Sequence, residues 1–152
     1  MKRRRFLQAS GAGIASAALP LRAQQVLPAH DLRPLIRAIA GEVQPRPGRI
    51  MIGLPQLAEN GNSVPLELAV DSPMSETDFV RSVHVFAERN PRPLIGSFQL
   101  GASAGRAKLS MRIRLAGTQR VVAIALLSDG SCWSAEAEVV VTAGACLDEM
   151  SL

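Results

Sequence analysis

The chemistry open to this chain is narrow. Its 152 residues include two cysteines, two histidines and no tyrosine. His30 and His84 are far apart, neither sits in a pair at ligand spacing, and there is no CxxC, so no metal donor set is offered. Met51, Met74, Met111 and Met150 form no cluster of the kind that binds copper. A phosphate-cradling glycine loop, a dinucleotide fingerprint and a serine elbow are all missing. The reading is therefore of a non-enzyme with no cofactor, whose only reactive groups are the thiols of Cys132 and Cys146.

These thiols have different surroundings in the sequence. Cys132, in Ser131-Cys132-Trp133-Ser134, opens a strand-like run beside the only tryptophan, the place of a small buried hydrophobe. Cys146 follows Val139-Val140-Val141-Thr142 and stands in Gly144-Ala145-Cys146-Leu147-Asp148 near the end of the chain. There it gains nothing from packing and is open to oxidation. Composition alone leaves a working thiol and a drifted one equally open. An intramolecular disulfide is disfavoured: about ten strand residues at roughly 3.3 Å each hold the two apart by some 33 Å, and the chain from Thr142 to Cys146 spans at most about 14 Å. Bridged α-carbons lie within about 7 Å.

The elements that place these thiols are mostly strands. Residues 30–41 predict one short helix capped by Asp31, with Pro34 tolerated in the first turn and Leu32, Leu35, Ile36 and Ile39 on one face. A linker with Pro45 and Pro47 follows. Strands are then expected at 49–53, 64–70, 80–88, 94–100, 107–115, 121–127 and 132–142, separated by turn signals such as Asn90-Pro91-Arg92-Pro93 and Asp129-Gly130. Pro65 places the second of these near a sheet edge. Ala107, Leu109, Met111, Ile113 and Leu115 alternate with polar residues, and the nearly continuous apolar run 121–127 suits a strand covered on both faces. About seven strands at this spacing make an all-β, immunoglobulin-like antiparallel sandwich with a short N-terminal helix and a flexible C-terminal arm. The boundaries are 24–48 for helix and linker, 49–142 for the sandwich and 143–152 for the arm.

The basic balance belongs to the first 23 residues. Lys2, Arg3, Arg4 and Arg5 precede a short apolar stretch rich in Ala and Gly, the layout of a signal peptide too short to span a membrane. Arg3-Arg4-Arg5-Phe6-Leu7-Gln8 resembles the twin-arginine export signal, and Leu21-Arg22-Ala23 offers cleavage after Ala23. Five of the 17 basic residues lie in this segment and none of the 13 acidic ones, so the mature chain holds 12 against 13, a net charge of −1. No polyanion partner is therefore implied, and no aromatic platform for bases is available either. The expected location is the periplasm.

Several segments in order carry a resemblance: Ala58-Glu59-Asn60-Gly61, Val64-Pro65, Asp71-Ser72-Pro73, Val83-His84-Val85-Phe86-Ala87-Glu88-Arg89-Asn90-Pro91-Arg92-Pro93, Arg112-Ile113-Arg114-Leu115-Ala116, Ser128-Asp129-Gly130 and Val139-Val140-Val141-Thr142. With them the chain resembles SoxY, the sulfur-carrying subunit of the periplasmic thiosulfate-oxidation system, over nearly all of its mature length. The resemblance implies a sandwich that pairs with a second small sandwich, SoxZ, and carries oxidation intermediates on a cysteine in its C-terminal arm to separate sulfur-oxidising enzymes. By position, Cys146 is the attachment point and Gly144, Ala145, Leu147 and Asp148 form the arm around it, reaching about 13 Å past the sandwich edge.

The arm departs from the Gly-Gly-Cys-Gly-Gly of the family and is closer to a SoxY-related group whose arm is Ala-Ala-Cys-Ile-Glu. Fewer glycines restrict the backbone and add bulk beside the sulfur, which a tunnel shaped for a glycine arm would reject. Asp148 and Glu149 also disfavour the thiolate slightly. Two readings follow: a covalent carrier, and a partner-binding subunit of a Sox-like complex whose arm no longer carries thiosulfate intermediates.

Overall fold

The computed structural model describes residues 27–145. The expected signal peptide (1–23), and Cys146, Leu147 and Asp148, lie outside the described residues. Nine strands form among them, in two sheets that face each other. They are β1 (Arg46–Pro47), β2 (Ile50–Gly53), β3 (Leu57–Asn60), β4 (Val64–Val70), β5 (Val80–Ala87), β6 (Leu94–Gln99), β7 (Lys108–Ile113), β8 (Gln119–Leu127) and β9 (Cys132–Ala143), preceded by the helix α1 (Arg33–Ala40).

The larger sheet runs β1-β9-β8-β5-β6, with β3 also on β9, and the smaller runs β2-β4-β7. Most ladders are antiparallel, as the short turns require; β1 and β3 pair with β9 in parallel. These are the strands that the sequence reading lacks. Each is short, and neither shows alternation, because its place is set by the edge of β9 rather than by its own pattern.

Alternation decides which residues enter the core. Val64, Leu66 and Leu68 of β4 and Ile113 of β7 point inward against Val83, Val85, Val121, Ala123, Ala125, Val139 and Val141 of the larger sheet. Val122 and Ile124, on the opposite face of β8, join Phe86 and Cys132 under Leu32, the residue before α1, and Ile36 and Ile39 of the helix. The helix is thus a lid on the outer face of the larger sheet, and β8 is buried on both sides as its apolar run predicts.

Three local expectations change. β4 is the central strand of its sheet, not an edge: β2 ends its register at Gly53↔Glu67, so Pro65 lies beyond it and pairs only with Arg112. Leu35 is exposed, since the sheet meets a narrower stripe of the helix than the periodicity allows. The N-cap residue is Leu32, not Asp31; Asp31 Oδ1 accepts the Arg33 backbone N–H at 3.0 Å and its carboxylate pairs with the Arg33 guanidinium at 2.8 Å. That side-chain hydrogen bond holds the Asp31 carboxyl below its ordinary range.

Candidate functional site: the root of the arm

β9 carries the chain to its candidate thiol, and three segments meet where it ends. β3 follows one side of β9, with Leu57↔Val140, Ala58↔Val141 and Asn60↔Ala143 in register. On the other side β8 stops at Gln119↔Val139. The turn that precedes β8 takes over: the Thr118 hydroxyl oxygen accepts the Val141 N–H at 3.0 Å, and the Leu115 carbonyl accepts the Ala145 N–H at 2.9 Å. Gly61 ties the two sides together. Its N–H donates to the Ala143 carbonyl at 2.7 Å, and its carbonyl accepts the Leu115 N–H at 2.8 Å. Ala145 is 8% exposed, so its methyl is packed as well as its amide bonded.

Two glycines make this junction sterically possible. A methyl group on Gly144 would overlap the carbonyl oxygen of Ala116, and one on Gly61 would overlap that of Leu115 while crowding the Ala145 nitrogen. Neither residue has a left-handed backbone. Both are small because a carbonyl occupies the space, not because the chain must bend there.

The 115–118 turn is itself held from beneath. Asn90, 5% exposed, donates from Nδ2 to the Arg114 carbonyl at 2.8 Å and accepts the Ala116 N–H on Oδ1 at 3.0 Å. Gln119 donates from Nε2 to the same Oδ1 at 2.9 Å and to the Gly117 carbonyl at 3.1 Å, while its Oε1 accepts the Arg89 N–H at 2.9 Å. Both amides are buried and their partners are satisfied, which makes the turn a fixed anvil rather than a loose loop.

The free arm was expected to start at residue 143. The described chain is instead strand through Ala143 and bonded to the body through Ala145, so the reach counted from Thr142 shortens. Gly144 and Ala145 are brought together with Gly61 and Leu115. Sequence reasoning missed Leu115, Asn90 and Gln119 as parts of this junction. Their only signals were Asn60-Gly61-Asn62 and Asn90-Pro91 at turn positions, which speak to chain reversal and not to burial.

The other candidate groups are structural. Cys132 is a free thiol with no exposed surface; burial pushes its pKa up and it packs beside Leu32, Phe86, Val122 and Ile124. His84 is buried with Nδ1 2.8 Å from the Ser97 hydroxyl and Nε2 3.0 Å from that of Ser82, and burial lowers its pKa. His30 is exposed, and its backbone N–H donates to the Glu88 carbonyl at 2.7 Å. Among the described residues no group of three or more His, Cys, Asp or Glu could hold a metal. No helix among them is long and apolar enough to cross a membrane. At the start of β9, Arg46 and Arg49 each place a guanidinium 5.6 Å from the Trp133 ring.

The sulfur carrier protein SoxY from Chlorobium limicola f thiosulfatophilum matches with a TM-score of 0.62 at 29% identity, covering 73% of this chain and 96% of that one. The superoxide reductase (neelaredoxin) of Ignicoccus hospitalis matches with a TM-score of 0.56 at 15% identity, over 62% of this chain and 80% of that one. The superoxide reductase of Nanoarchaeum equitans gives 0.54 at 14%, over 63% and 100%. These reductases share the sandwich fold. No curated protein sequence matches. The model of the family described as sulfur oxidation protein SoxY matches residues 36–146, nearly the whole body from within α1 to the candidate thiol. With the fold of a sulfur carrier around it and a family match that ends on Cys146, this chain belongs to the SoxY family, whose members carry sulfur rather than catalyse its oxidation.

Proposed function

We propose that this protein carries intermediates of sulfur oxidation covalently on Cys146 in the periplasm and presents them to separate oxidising enzymes. A SoxZ-like small β-sandwich is its standing partner. The observation that supports this reading is the junction at the end of β9: among the described residues, the last hydrogen bond to the body is made by Ala145, the residue before the thiol. The opposite arrangement holds for Cys132, which is enclosed and unsuited to exchange cargo.

Loading with thiosulfate has a simple balance. The Cys146 thiol and thiosulfate join through a new sulfur–sulfur bond, one proton leaves the thiol, and two electrons pass to an oxidising partner enzyme. The product is a cysteine S-thiosulfonate.

The test is intact-mass analysis of mature protein purified from its own periplasm without reductant. Sulfur-bearing adducts that disappear on reduction and are absent from the Cys146→Ser variant are expected. If no such adduct forms while a SoxZ-like subunit still co-purifies, the protein is a partner-binding subunit with an unloaded arm.

A further inference from the structure

We propose that the arm of this carrier is latched at its root, so that an enzyme reaching Cys146 must close on the rim of the body around Gly61, Asn62 and Ala116-Gly117. The latch is the junction of the chain end with the 115–118 turn, and Asn90 is its positioning residue. Only the second half, the approach of an enzyme, rests on the carrier reading.

A tether that swings from the end of a strand keeps its glycines for backbone freedom. Gly144 is used differently here: its missing side chain admits the Ala116 carbonyl, and its neighbour Ala145 then hydrogen-bonds Leu115 and buries its methyl. Releasing Ala145 breaks a hydrogen bond and exposes apolar surface, and the receiving carbonyls cannot drift outward because Asn90 holds the turn at both Arg114 and Ala116. One residue of extended chain spans at most about 3.6 Å. The reacting sulfur thus starts one residue from a fixed point, and a deep, narrow enzyme channel is ruled out as its destination unless the latch opens. Glu59, Asn60 and Asn62 give the rim an exposed polar segment that suits contact with a second protein surface that is hydrated when free.

Amide hydrogen exchange on the mature, full-length protein tests the latch without any cargo. The Ala145 amide should exchange at least about tenfold more slowly than a free chain. Asn90→Ala and Gly144→Ala should each cut that protection by about tenfold or more, with the Val85 and Ala123 amides unaltered. A free-chain rate in the wild type, or unchanged protection in both variants, overturns the latch. The short reach is tested by reacting Cys146 with iodoacetamide and with maleimide-coated beads. Four glycines inserted between Ala145 and Cys146 should raise the bead rate by at least about tenfold and leave the iodoacetamide rate unchanged; equal bead rates overturn the need for rim contact. Failure of the carrier reading shows separately: a protected Ala145 with no sulfur adduct on Cys146 removes the cargo and leaves the latch.

Discussion

Asn90 Oδ1 accepts a hydrogen bond from Gln119 Nε2 at 2.9 Å, and both side chains are buried. Each amide also bonds backbone on either side of the 115–118 turn, so the pair acts as one unit. Asn90→Ala and Gln119→Ala should each destabilise the fold by about 1–3 kcal/mol, because buried partners lose their hydrogen bonds. The double variant should lose less than the total of the two, with a coupling of about 0.5–3 kcal/mol. Urea unfolding of the four proteins measures this.

Gly61→Ala should cost about 1–3 kcal/mol from overpacking, since its new methyl would press on the Leu115 carbonyl and the Ala145 nitrogen. Gly144→Ala should cost less in global stability because the residue is exposed and terminal to β9. Thermal midpoints of the two variants give the order.

Thiol accessibility should separate the cysteines. In native mature protein a bulky disulfide reagent should modify Cys146 promptly and Cys132 only on unfolding, because Cys132 is fully enclosed and burial raises its pKa. Cys132→Ser should destabilise by about 1–3 kcal/mol, the cost of burying a hydroxyl among Leu32, Phe86, Val122 and Ile124. Timed mass spectrometry of the labelled protein checks the first point and urea unfolding the second.

His84 sets a pH dependence of known sign. Burial lowers its pKa in the folded state below the ordinary 6.5. The unfolded chain therefore takes up the proton first as pH falls, and stability declines from about pH 6.5 down to the folded-state value, below which this contribution is flat. Above pH 6.5 the contribution is fully present. His84→Gln should remove that slope, seen as equal urea midpoints across this window where the wild type weakens toward acid.

Phe86 is enclosed between α1 and the larger sheet, so Phe86→Ala should cost about 3–5 kcal/mol. Loss of the helix's footing should appear as faster exchange of the Ile36 and Gly41 amides, whose acceptors are the Leu32 and Arg37 carbonyls.

Much of the body was legible because its residues alternate. The run Ala107, Leu109, Met111, Ile113 and Leu115 faces inward as its period dictates, and the doubly covered β8 was visible in its unbroken apolar run. The SoxY family was legible from ordered segments. β1 and β3 were not, because two- and four-residue strands parallel to β9 owe their pairing to a distant edge. Pro65 misled for a related reason: its tolerance depends on where β2 stops, which no local pattern shows. The arm root was hidden because burial of Asn90, Gln119 and Ala145 arises only when three separated segments converge. A glycine near a terminus suggests looseness by type, while the Ala116 carbonyl that fills its space belongs to another part of the chain.

Trp133 and Ala143 stand near opposite ends of one continuous strand, roughly 33 Å apart at about 3.3 Å per residue. With no tyrosine and a single tryptophan, near-ultraviolet emission excited at its red edge comes from one spot, a ring with two guanidinium groups 5.6 Å from its centre. That fluorophore should register melting of the sandwich and be indifferent to a group attached beyond the far end of β9. Loaded and unloaded forms should therefore share one native spectrum, which gives this carrier a built-in folding gauge independent of its freight.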